Sequence, residues 1–265
     1  MKRLFGIWIG LLAAMLVPAR AMAQSAFDGT WKIDLSQTQL PTKPGVYLLL
    51  NGIYHCKTCI PPIDARADGL DHRVAGDSCY DTVNIKVLDD RTVLETDKSK
   101  GKIVHTEKMT VAPSGNTATW EFSDSCDANG EEVTWKQISV RVTNGPPGSH
   151  PISGSWRAMR IVNSSENGLT ATIKLEGNNF SFMDSTGQSY TAVMDGLDAP
   201  LNGGAGNTTV SVRRIADDTI EETDKRAGKV VSVTRFTVSA DGKTLNVGIN
   251  DKLQGSSVQI VAAKQ

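Results

Sequence analysis

The sequence lacks an excess of charge of either sign. Among its 265 residues, 28 Lys and Arg face 29 Asp and Glu. A protein that binds nucleic acid by neutralising phosphates needs a basic excess, so no nucleic-acid partner is expected. Charged residues make up 22% and hydrophobic residues 39% of the chain, which excludes a disordered protein. Beyond the N-terminal region no apolar run is long enough to span a bilayer as a helix, and no membrane span is expected.

Catalytic signatures are also missing from the sequence. There is no nucleophile elbow, no phosphate-binding glycine loop and no metalloprotease helix. His72 follows Asp71, but no nucleophile can be assigned to the pair, so His72 is interpreted as a loop residue. We therefore expect a protein that is not an enzyme and that needs no cofactor. No catalytic residue and no metal ligand are assigned.

The N-terminal region has the pattern of a secretory signal peptide. Lys2 and Arg3 precede an apolar run over residues 4–17, and Ala21-Met22-Ala23 forms a small-x-small cleavage site. The pattern predicts a signal peptide over residues 1–23 and a periplasmic or secreted protein. Gln24 follows the cleavage site, so no cysteine is available there for lipid attachment. Removal of the peptide leaves a mature chain with a net charge of about −4.

The mature chain contains an internal repeat. Residues 68–120 align without a gap on residues 195–247, with 20 of 53 positions identical. Such self-similarity predicts two homologous domains. A turn-rich linker over residues 144–149 separates the copies, which predicts domain 1 over residues 24–145 and domain 2 over residues 146–265.

Hydrophobic residues alternate with polar ones within each copy. Leu169, Ala171 and Ile173 alternate with polar residues, as half-buried strands do. Asp241-Gly242 and Ser114-Gly115 are typical of hairpin turns. No segment shows a helical period. We expect about seven to nine short strands per copy, closed into an antiparallel barrel or a closely related sandwich, since such closure protects strand edges.

Several ionisable residues interrupt the predicted strands. In the predicted strand from Ile103 to Val111, His105 and Glu107 fall on the same face as the apolar residues. Either both point to the interior or the strand leaves the core or bulges, and the second interpretation is favoured. Two further pairs, Glu95 with Asp97 and Glu222 with Asp224, recur in both copies. They are interpreted as charged hairpin ends that protect an exposed edge.

Both copies begin with a Gly-x-Trp motif, at Gly29-Thr30-Trp31 and Gly154-Ser155-Trp156. A Gly-x-Trp at the start of an all-β unit of this length resembles the opening motif of lipocalin and other calycin barrels, and the chain resembles tandem secreted bacterial proteins of this type. The resemblance implies that Trp31 and Trp156 close one end of a barrel beneath a basic side chain from the last strand. Arg141 and Lys264 are the candidates, and each cation–π contact is worth about 0.5–2 kcal/mol.

All four cysteines lie in the first copy. In an oxidising compartment an even count indicates disulfides, and four cysteines allow three connectivities. The preferred pairing is Cys56 with Cys59 and Cys79 with Cys126. Two alternatives remain open. A redox dithiol needs Cys-x-x-Cys at the start of a helix, and a zinc site could use His55 with three of the cysteines.

The resemblance and the apolar strand faces together favour an exported, non-enzymatic binding protein. Its partner would be a small, apolar ligand held in one barrel, with no residue yet assigned to bind it. An eight-stranded barrel has room either for its own side chains or for one small ligand. The first alternative is a structural or interaction module with filled barrels, and the second is a cysteine-dependent redox enzyme.

Overall fold

The structure is a computed structural model that describes residues 25–77, 79–126, 129–203, 206 and 209–265. The predicted signal peptide, residues 1–23, lies outside the described residues. Within the described residues, no helix is long and apolar enough to cross a membrane.

The described chain consists of β-strands and one turn of 3-10 helix. In chain order the elements are β1 (Gly29–Ile33), β2 (Gly45–Leu50), β3 (Ile53–Cys56), β4 (Ile63–Arg66), β5 (Asp71–Arg73), β6 (Thr82–Val87), β7 (Thr92–Ser99), β8 (Lys102–Val111), β9 (Thr117–Asp124), β10 (Val133–Asn144), β11 (Gly154–Ser164), the 3-10 turn η1 (Glu166–Gly168), β12 (Thr170–Glu176), β13 (Asn179–Asp184), β14 (Ser189–Val193), β15 (Asp195–Pro200), β16 (Thr209–Ala216), β17 (Thr219–Arg226), β18 (Lys229–Val238), β19 (Thr244–Asp251) and β20 (Ser256–Lys264).

The strands form two antiparallel ten-stranded sheets, each curled into a nearly closed barrel. Barrel 1 has the order β4-β3-β2-β11-β10-β9-β8-β7-β6-β5. Barrel 2 has the order β14-β13-β12-β1-β20-β19-β18-β17-β16-β15. In each barrel the two edge strands, which do not pair with each other, are consecutive in the chain. They are β4 and β5 in barrel 1 and β14 and β15 in barrel 2. The all-β class and the tandem barrels expected from the sequence are therefore confirmed.

The strand number differs from the sequence expectation. Each copy contributes ten strands to the two sheets, more than the expected seven to nine, because short strands such as β4 and β5 carry too few residues to show a period of two. Ten strands per barrel are also two more than the eight of a lipocalin barrel.

The first strand of each copy lies in the barrel of the other copy. Trp31 on β1 is opposite Ala171 on β12 and Lys264 on β20. Trp156 on β11 is opposite Arg141 on β10 and Gly45 on β2. Barrel 1 is thus the continuous stretch from β2 to β11, and barrel 2 is completed by a strand from the far end of the chain. β1 and β11 therefore belong to different barrels from the other strands of their own sequence copies.

Two chain segments connect the barrels. Residues 34–44 lead from β1 to β2, and residues 165–169 lead from β11 to β12. The first segment is held on barrel 2, because the backbones of Gln39 and Gln259 exchange hydrogen bonds of 2.8 and 3.1 Å. The second is held on barrel 1 by a 2.8 Å bond from the Ser165 amide to the Thr134 carbonyl. The two barrels are therefore joined by two covalent connections, each of which is hydrogen-bonded to one barrel.

Each barrel has its own hydrophobic core. One core packs Phe27 and Trp31 with strands β12 to β20. The other packs Trp156 with strands β2 to β9. The cores divide the chain as the sheets do, so the exchanged strands contribute their tryptophans to the barrels in which they lie.

Tight turns set the register of the hairpins. Lys100-Gly101 joins β7 to β8 and Ala227-Gly228 joins β17 to β18, with φ between 48° and 82° at these four residues. Two consecutive left-handed residues are the geometry of a two-residue hairpin turn whose twist matches that of the strands. Gly115 and Gly242 also have positive φ, in the two hairpins that the sequence predicts.

Candidate functional site

Barrel 2 contains a cavity of about 270 Å³ that is partly open to solvent. Apolar side chains from both ends of the chain line most of it, because inward-facing residues alternate along each strand. The apolar lining residues are Trp31, Ile33, Ala171, Ile173, Phe182, Leu201, Phe236, Leu245, Val247, Ile249, Ile260 and Ala262. The cavity is therefore an apolar chamber inside the barrel.

The polar part of the barrel 2 lining contains two carboxyl groups on β17, Glu222 and Asp224. The other polar side chains that line it are those of Gln188, Tyr190, Ser232 and Thr234. The Tyr190 hydroxyl donates a hydrogen bond to Glu222, and the Ser232 hydroxyl donates to Asp224 over 2.5 Å. Burial, with a smaller contribution from Asp224, raises the pKa of Glu222 to about 8. Burial also raises the pKa of Asp224. Glu222 is thus largely protonated at neutral pH. Among the described residues, no basic side chain lines this cavity.

The corresponding carboxyl groups of barrel 1 are buried as well. Glu95 and Asp97 are 3% and 2% exposed, so their interpretation as charged hairpin ends is wrong, as it is for the buried Glu222. The two residues lie on β7, whose inward positions continue to the end of the strand. Burial raises the pKa of Asp97 to about 8 and that of Glu95 in the same direction. Oε2 of Glu95 and Oδ1 of Asp97 have no hydrogen-bond partner among the described residues.

Glu107 on β8 completes a buried acidic cluster in barrel 1. It is directly opposite Glu95 across the β7–β8 ladder and is itself buried. The favoured interpretation, that the strand had left the core at this position, is therefore wrong for Glu107. A bulge does occur further along, between Asp97 and Lys98, and it leaves Ile103 54% exposed. Burial first, and then Glu95 and Asp97, raise the pKa of Glu107 well above its usual range.

Barrel 1 also has a cavity, of about 470 Å³, whose lining differs in composition from that of the barrel 2 cavity. Its interior lining is largely aromatic, from Tyr47, Trp120, Phe122 and Trp156. Residues of the connecting segment, including Lys43, and Leu253 of barrel 2 also line it. The cavity thus lies inside barrel 1 but extends to the junction with barrel 2.

The two basic residues predicted to cover tryptophans lie over indole rings. Arg141 Cζ is 4.0 Å from the ring centroid of Trp156, and Lys264 Nζ is 4.8 Å from that of Trp31. Because β1 and β11 are exchanged, each contact joins residues from different sequence copies. Arg141 also donates hydrogen bonds to three backbone carbonyls, at 2.5 to 2.7 Å.

The cysteines lie at disulfide distance in the pairing preferred from the sequence. The Cα atoms of Cys56 and Cys59 are 5.4 Å apart, and those of Cys79 and Cys126 are 5.7 Å apart. Cys56 ends β3 and no helix begins at the motif, so the geometry that a redox dithiol requires is missing at this place.

Three of the four histidines pair with carboxylates, and His150 contacts the backbone carbonyl of Asp89. His72 Nε2 is 2.8 Å from Asp68 Oδ1, and His105 Nδ1 is 2.9 Å from Asp124 Oδ2. His55 contacts Asp64 rather than a metal-ligand set. Within the part of the chain that the structure describes, no group of three or more His, Cys, Asp and Glu residues is arranged to hold a metal ion.

The cavity-lining residues are the part of the site that sequence reasoning did not assign. Their signal was present as the inward phase of each strand, for example Leu245, Val247 and Ile249 on β19. What the phase does not show is whether the opposite wall leaves space between them. The sequence pattern predicts the carboxyl pairs at solvent-exposed hairpin ends, whereas Glu95, Asp97 and Glu222 are buried inside the barrels.

The fold and its two interiors define a class, a tandem β-barrel protein with one cavity in each barrel. No protein-family model and no curated protein sequence matches the chain. Its function has therefore to be inferred from the cavities themselves.

Proposed function

We propose that the chain is an exported, non-enzymatic binding protein that holds one small, apolar and uncharged molecule in the cavity of barrel 2. A relation to the lipocalin-like calycin barrels is part of the same proposal. Export rests on the signal-peptide pattern of residues 1–23.

The observation that carries the proposal is the apolar chamber of about 270 Å³ inside barrel 2. Cavities that bind small molecules are concave, mostly apolar and carry a few polar groups. The cavity of barrel 2 has this composition. Its volume lies just below the range of about 300–1,000 Å³ that is usual for ligand pockets, which favours a small ligand.

The protonation of the polar wall supports an uncharged ligand. Glu222, with its pKa raised to about 8, has lost most of its negative charge at pH 7. A protonated carboxyl can donate one hydrogen bond and still accept others. A ligand with an apolar body and a single hydroxyl or carbonyl group fits this combination.

The proposal is tested with phenylnaphthylamine, a neutral apolar probe whose fluorescence rises on transfer out of water. Ala171→Trp places a large side chain in the barrel 2 cavity. The matched control is Ala158→Trp, because Ala158 lines the barrel 1 cavity. The unmodified mature chain should bind one equivalent of probe, Ala158→Trp should bind it equally, and Ala171→Trp should lose at least tenfold in affinity. No stoichiometric binding, as filled barrels would give, or equal binding by both variants would contradict the proposal.

A further inference from the structure

The cavity of barrel 1 differs from that of barrel 2 in charge. Lys43 and Lys57 line it, and no Asp or Glu does. Both lysines are exposed, which places them at the solvent side of the cavity. Neither forms an ion pair among the described residues, and Lys43 donates a hydrogen bond to the Gln254 carbonyl. Among the described residues, the formal charges that line this cavity are therefore all positive, although the chain as a whole has a net charge of −1.

The inner walls of the same cavity are aromatic. The rings of Tyr47 and Trp120 have centroids 5.0 Å apart and are tilted by 37°. Trp120 and Trp156 meet edge to face, with centroids 6.4 Å apart. Aromatic faces and edges pack against other aromatic rings in offset or edge-to-face arrangements. A planar ring would therefore find both kinds of contact in this cavity.

Trp120 also carries a hydrogen-bond donor without a partner. Its Nε1 is buried and is not hydrogen-bonded to any described residue, and the side chain is only 3% exposed. The comparable tryptophans differ, since Trp156 Nε1 donates to the Ile152 carbonyl at 2.7 Å and Trp31 Nε1 to the Phe27 carbonyl at 2.9 Å. Buried donors are nearly always paired. Trp120 lines the cavity through other atoms of its side chain, so the indole has to turn for Nε1 to reach an acceptor atom of a bound molecule.

The remaining polar groups of the inner wall suit a ligand that is not purely apolar. Gln137 and Ser139 line the cavity, and the Gln137 amide donates to the Ser139 hydroxyl at 3.0 Å. At the matching register positions barrel 2 has Ile260 and Ala262. One barrel thus presents amide and hydroxyl groups where the other presents only alkyl groups.

From these four observations we propose that barrel 1 is a second, independent binding site for a small aromatic anion, such as an aromatic carboxylate. The ring packs against the walls formed by Tyr47, Trp120 and Trp156, and a hydroxyl or carbonyl substituent on it accepts a hydrogen bond from the Trp120 indole. The anionic group lies at the mouth, near Lys43 and Lys57. This site does not depend on the ligand proposed for barrel 2.

The test uses anilinonaphthalene sulfonate, which has the ring system of phenylnaphthylamine with an added sulfonate group. The full mature chain is titrated with the anionic probe, together with a Lys43→Gln/Lys57→Gln double variant and Ala158→Trp. The charge control is Lys100→Gln/Lys102→Gln, which removes two exposed lysines from the β7–β8 turn. Binding by the unmodified chain should be one to one and should weaken with added salt, since exposed charges are screened.

The double variant should bind the anionic probe at least tenfold more weakly, while its affinity for the neutral probe and the behaviour of the charge control stay unchanged. Ala158→Trp should lose the anionic probe but keep the neutral one. The proposal is overturned if the double variant binds the anionic probe as tightly as the unmodified chain, or if Ala171→Trp rather than Ala158→Trp removes the anionic probe. Loss of neutral-probe binding by Ala171→Trp tests barrel 2 alone, so the two proposals fail separately.

Discussion

The two barrels share one topology and both bury carboxyl groups, but the linings of their cavities differ in charge and polarity. Trp120 is opposite Gln137 in barrel 1, and Val247 is opposite Ile260 at the same place in barrel 2. The lysines at the mouth of barrel 1 contrast with the two carboxyl groups in the wall of barrel 2. The difference teaches that the shared backbone sets where a cavity forms, whereas a few inward residues decide what it can hold.

The acidic clusters differ in the same way. On β7 of barrel 1 both Glu95 and Asp97 are buried, whereas on β17 of barrel 2 Glu222 is buried and Asp224 is half-buried. Barrel 1 also has Glu107 where barrel 2 has Thr234. Among the described residues, barrel 1 therefore buries three carboxyl groups on these strands and barrel 2 buries one. Its disulfide-distance pairs also have no counterpart in barrel 2, since all four cysteines lie in the first sequence copy.

The largest expected effect comes from removing the tryptophan of an exchanged strand. Trp31→Ala and Trp156→Ala should each cost about 3–5 kcal/mol of stability, as large-to-small changes at buried aromatic residues do. Because β1 lies in barrel 2, Trp31→Ala should reduce hydrogen-exchange protection over residues 170–264 and spare residues 45–144. Trp156→Ala should do the reverse. Peptide-resolved exchange monitored by mass spectrometry measures both.

A loss of protection within residues 45–144 in Trp31→Ala would contradict the exchange of strands. It would place β1 in the barrel of its own sequence copy.

The second prediction concerns pH and sharpens the contrast between the acidic clusters. A carboxyl group with a raised pKa keeps in the folded state a proton that it releases in the unfolded state. For such a group stability is greatest at low pH and falls as the pH rises from about 4.5 towards the folded-state pKa. Glu107→Thr gives barrel 1 the residue found in barrel 2, and it should make the fall in stability between pH 5 and pH 7 shallower.

Urea unfolding at pH 5, 6 and 7 measures this change. Thr234→Ser is the matched control in barrel 2 and should leave the pH dependence unaltered. If Glu107→Thr shows the same fall in stability with pH as the unmodified protein, Glu107 does not hold its proton in the folded state.

The smallest expected effects are at the cations over the tryptophans. Lys264→Met keeps most of the aliphatic contact with Trp31 but removes the charge, and should cost about 1 kcal/mol. Arg141→Met should cost more, about 2 kcal/mol, because Arg141 donates to three backbone carbonyls whereas Lys264 donates to one, that of Ala26. Urea unfolding of both variants compares them directly. Equal costs would show that the hydrogen bonds of Arg141 add nothing to the cation–π contact.

Local patterns in the sequence predicted much of the fold. The alternation of Leu169, Ala171 and Ile173 is a property of neighbouring residues, and so are the hairpin turns at Gly115 and Gly242. The repeat was visible because both copies conserve these local signals at a constant spacing. Such features need no knowledge of which strands meet in space.

Long-range pairing could not be predicted in the same way. The same Gly-x-Trp motif begins β1 (Gly29-Thr30-Trp31) and β11 (Gly154-Ser155-Trp156). The motif alone therefore does not show which of the two strands pairs in which barrel. Glu95 and Asp97 were misplaced because a carboxyl group usually indicates a solvent-facing position. Only the three-dimensional arrangement shows that their strand continues inside the barrel.

The central claim is that two distinct cavities bind two chemically different molecules. Native mass spectrometry of the mature chain with anilinonaphthalene sulfonate and phenylnaphthylamine together tests this claim most directly. The account predicts a complex that contains one copy of each probe, formed without competition between them. A spectrum in which one probe displaces the other, or in which neither remains bound, would contradict it.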